Sequence, residues 1–114
     1  MGFEASAKFV VRRPDTDELH AFGKGCVMLL EGVERERSLN KAAKSLGMAY
    51  SKAWKLMNDA EEQLGCPLIL REGAKGSTLT PEGRRALTAY REMQELINNV
   101  IDDNLERLFG CFER

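Results

Sequence analysis

The apolar positions of the chain recur with a spacing that changes along its length, and each spacing implies a different element. Lys8-Phe-Val-Val-Arg-Arg13 and Glu18-Leu-His-Ala-Phe22 are short runs with β-branched and aromatic content, separated by Pro14-Asp-Thr-Asp17. Two extended runs around a Pro/Asp turn predict a β-hairpin, closed by Gly23 and Gly25, with His20 on a strand face. From 24 to 36 the period lengthens. Cys26, Leu29, Leu30 and Val33 fall at i, i+3, i+4 and i+7, the stripe of an amphipathic helix, which the run Glu34-Arg-Glu-Arg37 ends.

Ser38 then has the character of an N-cap, since its hydroxyl can accept from a free backbone N–H of the next helix. Leu39, Ala42, Ala43 and Leu46 form that helix's buried side, and Gly47 stops it by taking a left-handed conformation. A third helix is predicted from Tyr50 to Leu64, with Ala53, Met57, Ala60 and Leu64 on one face and Gly65 at its end. Ser51, Lys55 and Asn58 lie on the opposite face, with Lys52 on the flank. Pro67-Leu-Ile-Leu-Arg71 and Ser77-Thr-Leu-Thr80 read as short strands joined by Glu72-Gly-Ala-Lys-Gly76. Thr80-Pro81-Glu82 is a helix start: a hydroxyl cap, a proline whose missing N–H costs nothing, and an acid facing the dipole. The helix it begins runs to about Phe109, about 40 Å at 1.5 Å per residue.

Three helices followed by a two-stranded wing is the order of a winged helix-turn-helix. The expected fold is therefore mainly α with a small β part: an N-terminal hairpin and DNA-binding unit over 1–80, and a long C-terminal dimerisation helix over 81–114 of the same domain. A length of 114 residues, with 43% apolar and 31% charged residues, suits one soluble domain. The longest apolar run, Cys26-Val-Met-Leu-Leu30, is too short to span a bilayer, and the N-terminus has no secretory pattern. Cys26, Cys66 and Cys111 are odd in number and lack a paired spacing, which fits reduced thiols in a cytoplasm better than disulfides or a metal site.

Net charge is −1, yet the total conceals a division. Between Arg37 and Asn58 there are five bases (Arg37, Lys41, Lys44, Lys52, Lys55) and no acid, while acids gather near both ends and just after Asn58. A local cationic face attracts phosphate even on a neutral protein. In a helix-turn-helix the second helix enters the major groove with its N-terminal side chains towards base edges. Here that places Tyr50, Ser51 and Lys52 foremost, with Lys55 and Asn58 a turn or two further on, and Lys41 contributing from the preceding helix. Arg71, Lys75 and Ser77, in or beside the wing, are placed to grip a flanking phosphate or minor groove. The glycines of the wing lack P-loop spacing, and one His with scattered carboxylates offers no convergent catalytic set, so an enzyme and a cofactor are not expected. A winged helix used only to bind protein stays open as the competing reading, because fold does not dictate partner.

Ser38-Leu-Asn-Lys-Ala-Ala-Lys-Ser-Leu-Gly-Met-Ala-Tyr-Ser-Lys-Ala-Trp54 resembles the N-terminal domain of the molybdate-responsive ModE regulators. Leu64-Gly-Cys-Pro-Leu-Ile-Leu-Arg71 and Leu79-Thr-Pro-Glu-Gly-Arg84 resemble both that family and the related LysR-type regulators, and the likeness covers roughly residues 7 to 100. It implies a dimer that binds double-stranded DNA, with Tyr50, Ser51, Lys52 and Lys55 at or near the recognition surface. The family keeps a Trp at position 54, expected to pack against the first helix or hairpin and hold the recognition helix. Full-length ModE regulators carry C-terminal oxyanion-binding domains, so the expectation is a stand-alone DNA-binding half without direct molybdate binding. Along the last helix, Tyr90, Met93, Ile97, Val100, Ile101 and Leu105 continue at 3–4 spacing. Exposed on a small domain, that stripe is expected to pair with a symmetry mate; folding back on its own subunit is the alternative.

Overall fold

A computed structural model describes residues 2–113. Its elements are α1 (Lys24–Glu36), α2 (Leu39–Ser45), α3 (Tyr50–Leu64), β1 (Ile69–Arg71), β2 (Ser77–Leu79) and α4 (Pro81–Phe109). The two strands pair antiparallel, Ile69 opposite Leu79 and Arg71 opposite Ser77, and form the wing. The core sits where α1, α2 and α3 converge beneath the wing, and Leu29, Leu30, Val33, Met57 and Leu68 are fully enclosed. The helical stripes read from the sequence point into it.

The helix ends follow local chemistry. Ser38 Oγ accepts the Lys41 N–H at 3.1 Å and starts α2. After α2, Gly47 takes φ 65°, and the Met48 N–H returns to Ala43 O at 2.9 Å, so the turn into α3 closes on the end of α2. Thr80 Oγ1 accepts the Gly83 N–H at 2.9 Å, with Pro81 following as the first helical residue of α4. α1 ends without glycine: Arg37 itself is left-handed, at φ 58°. That conformation, costly for a residue with a Cβ, directs its carbonyl to the wing, where Ser77 N–H donates to it at 2.9 Å. Gly76 makes room, since a Cβ there would lie 2.2 Å from Arg37 O. Similarly, a Cβ on Gly32 would lie 2.6 Å from Ala42 Cβ, so α1 and α2 meet at small residues.

The N-terminal hairpin is where sequence and structure part. Only one antiparallel bridge forms, Val11 opposite Phe22, with both N–H···O distances at 2.8 Å. Residues Glu18–His20 turn into a short 3-10 helix instead of a strand. His20 therefore leaves the expected strand face: its Nδ1 lies 2.7 Å from Asp17 Oδ1, a bond that holds the Asp17 carboxyl below its ordinary range. The first run is taken by another partner. Phe9 stacks on Tyr90 of α4 at 4.7 Å between ring centres, and Ala7 O accepts from Gln94 Nε2 at 3.0 Å. The segment before Val11 thus follows α4 as an arm, and Gly2 N–H reaches Glu113 Oε1 at its far end. The turn that follows is anchored to α3, where Gln63 Oε1 accepts the Arg13 N–H at 2.7 Å.

α4 leaves the core part-way along its length. Leu87 and Tyr90 are buried, and Arg91 pairs with Glu31 of α1 at 2.8 Å. At its start, Gly83 abuts the wing, and a Cβ there would lie 2.0 Å from Leu68 O. The obstacle is backbone, so Gly83→Ala should lower the thermal midpoint by roughly 5–10 °C, the cost of overpacking. Gly110→Ala, whose added Cβ meets only Glu106 Cγ at 3.4 Å, should leave the midpoint unchanged. Calorimetry of the two variants checks both.

Candidate nucleic-acid interface

α3 turns one face to the core through Ala53, Met57, Ala60 and Gln63. The opposite face carries Ser51, Lys52, Lys55 and Asn58 to solvent, and Tyr50 is exposed at its start. This is the face the periodicity assigned, and no acid lies on it before Asp59. Lys55 is not wholly free: its Nζ lies 2.9 Å from Asp59 Oδ2, one turn along. Lys52 makes no ion pair among the described residues. Lys41 is exposed on α2, and Lys75 is exposed on the 3-10 turn Gly73–Lys75 at the wing's tip.

Two assignments change. Ser77, which the sequence places in or beside the wing to grip a flanking phosphate or minor groove, is only 8% exposed, because its strand lies against the α1–α2 corner through the bond to Arg37 O. Trp54 was expected to brace the recognition helix against the first helix or hairpin. One side of the indole does pack on the core cluster, but Arg71 of β1 covers its face, with Cζ 3.9 Å from the ring centre. Tyr50 meets the same ring edge-on at 6.4 Å. Tyr50, Trp54 and Arg71 therefore form one continuous layer from the start of α3 to the wing.

Glu61, which the sequence reading left unassigned, sets where the wing begins. Its Oε2 accepts the Leu68 N–H at 2.8 Å and the Ile69 N–H at 3.4 Å. A carboxylate in the last turn of α3 thereby satisfies the backbone of the first wing strand. Burial, and then the charge of Glu61, push the nearby Cys26 thiol up to about 12, so it stays protonated and inert in the core. Glu61→Ala would strand a buried donor at Leu68, costing about 1–3 kcal/mol in urea unfolding, whereas Glu61→Gln, which keeps an acceptor, should lose less. Equal losses for the two variants would show that the carboxylate–backbone bond is not what matters.

A helix-turn-helix whose second helix is flanked by a two-stranded wing defines the class: a winged helix-turn-helix module. The chain belongs to the lysR family of bacterial regulatory helix-turn-helix proteins, whose pattern it matches over residues 27–84. The likeness to ModE proteins also holds. The chain is 33% identical over 108 residues to the molybdenum transport protein ModE of Azotobacter vinelandii, an alignment covering 90% of this chain and 40% of that protein. It is 33% identical over 78 residues to the HTH-type transcriptional regulator TdcA of Escherichia coli K12, covering 65% of this chain and 25% of that one. The chain thus spans well under half the length of these relatives. Among solved structures, a CbnR_DBD–DNA complex superposes with TM-score 0.59 at 23% identity, covering 72% of this chain and 93% of that one. A BenM_DBD complex with benA site 1 DNA gives TM-score 0.57 at 22% identity, covering 75% and 94%. At those identities the superpositions establish the fold.

Proposed function

We propose that this chain is a sequence-specific double-stranded DNA-binding transcriptional regulator, acting in the cytoplasm as a homodimer. α3 enters the major groove and the wing lies beside it. The observation that carries this reading is the exposed face of α3 from Tyr50 to Asn58, which carries no acid, in a lysR-family helix-turn-helix. Tyr50, Ser51, Lys52, Lys55 and Asn58 supply donors for bases or phosphates there, and Lys41, Arg71 and Lys75 flank them. The proteins in the CbnR and BenM complexes share the fold and are recorded with DNA, which supports the same use here. Binding, not catalysis, is the proposed activity. No helix among the described residues is long and apolar enough to cross a membrane. The reading assigns no molybdate site to residues 1–114.

Charge neutralisation makes the test quantitative. Affinity for random duplex should fall linearly with salt on a log–log plot, and Lys52→Ala with Lys55→Ala should flatten the slope by about two units. Duplex binding that is absent, or insensitive to salt, would turn the assignment towards a protein-binding adaptor.

The dimer surface proposed here is shifted from the stripe read from sequence, and it takes in Leu96, which that stripe did not contain. Tyr90 is spent inside the subunit, 7% exposed between Phe9 and Phe22. Ile97, Ile101 and Leu105 are half-buried on the side followed by the N-terminal arm, where Phe3 and Ala5 line grooves with Ile101 and Leu105. Some folding back therefore occurs, by the arm and not by α4. Met93, Leu96 and Val100 remain open at 48%, 56% and 62% exposure, with Val100 and Leu108 also lining the groove that Ala5 of the arm enters. A symmetry mate covering these residues removes them from water and supplies the two-fold axis that paired half-sites require. Sedimentation at micromolar concentration should give twice the chain mass, falling to one for Leu96→Glu with Val100→Glu. A monomeric wild-type chain would remove the dimer.

A further inference from the structure

Resting on the DNA-binding reading above, we propose that Trp54 is a positioning residue for the wing. Its indole face holds the Arg71 guanidinium in a fixed plane beside the recognition helix, edge outward, ready for a phosphate. Trp54 lies on α3 and Arg71 on β1, 17 residues later, so the stack ties the two DNA-facing elements together directly. Among the described residues no carboxylate pairs with Arg71, whereas Arg35, Arg91 and Lys55 each have one. With Cζ 3.9 Å over the ring centre, the guanidinium is held by its contact with the indole, and among the described residues no side-chain hydrogen bond or ion pair takes up its N–H donors. Those donors form the fork that two oxygens of a phosphate match.

The ring beneath Arg71 is itself held by packing. Trp54 is half-buried, packs on the core from α3, and is met edge-on by Tyr50 at 6.4 Å with the rings 85° apart. A long side chain usually loses its rotational freedom when it binds; here the ring has already restricted it. Lys75, at the wing tip, has no cation–π contact among the described residues and carries charge without that restriction. Arginine at 71 is therefore required for more than its charge, because a lysine ammonium cannot lie flat on the indole and present a fork.

The test is a double-mutant cycle on random-sequence duplex DNA across salt, using the full chain, Arg71→Lys, Trp54→Phe and the double variant. Arg71→Lys should weaken binding about fivefold while leaving the salt slope at its wild-type value, since the charge is kept. Trp54→Phe should weaken it as well, and the double variant should lose no more than the worse single one. Losses that multiply, or an Arg71→Lys variant that binds like wild type, overturn the proposal while leaving DNA binding intact. A wild-type chain that binds no duplex removes both. A second measurement does not depend on altering the tryptophan. Trp54 is the chain's one Trp, so acrylamide quenching of the free protein's fluorescence reads its cover. Quenching should be faster in Arg71→Ala than in wild type, and equal quenching would overturn the stack.

Discussion

Leu68 stands where three elements meet, and its peptide groups must be satisfied where its side chain is wholly shut off from water. Its N–H donates to Glu61 of α3, and its carbonyl accepts from Thr80 at the head of α4. The same carbonyl lies so close to Gly83 that no side chain fits between them. α3, the wing and α4 are thus joined through one residue's backbone. An unsatisfied buried group costs more than a made bond returns, which leaves the wing little freedom to drift relative to α3. The geometry of the surface proposed to face DNA follows from that junction. Arg71 is three residues beyond Leu68 and meets Trp54 because the strand between them is held in place.

Much of this was legible in the residues because it is local. Ser38, Gly47 and Thr80-Pro81 signal helix boundaries through chemistry that acts within a few positions, and each boundary lies where that chemistry puts it. The apolar stripes of α1 to α3 also point to the core as their period requires. What the residues concealed is non-local. The runs around Pro14 have hairpin composition, yet Phe9 finds a better surface on Tyr90, more than 80 positions away. That contact draws the segment onto α4 and leaves a single bridge at Val11. Tyr90 looked like the start of an exposed stripe for the same reason: a heptad-like spacing cannot tell which side the chain's own arm will cover.

The candidate site divides along the same line. Exposure of Ser51, Lys52, Lys55 and Asn58 follows from helical geometry once the buried face of α3 is known. Burial of Ser77 depends on a left-handed Arg37 from another corner of the fold, which no rule about strands would supply. The Trp54–Arg71 contact joins residues expected separately, a packing aromatic and a cation proposed for phosphate, and brings them together only when the wing is laid against α3. A near-neutral chain can in this way present an acid-free cationic stretch from Arg37 to Asn58, with most acids in the arm turn, α1, the end of α3 and α4, and Glu72 in the wing itself.

The central claim is that α3 and the wing act as one surface towards DNA. Amide chemical shifts of the uniformly 15N-labelled chain, recorded on titration with duplex DNA, test it most directly. The account predicts that the largest changes fall together at residues 50–58 and 71–77. Changes centred instead on the groove between α1 and α4, lined by Lys24, Met28, Glu31 and Gln94, would contradict it.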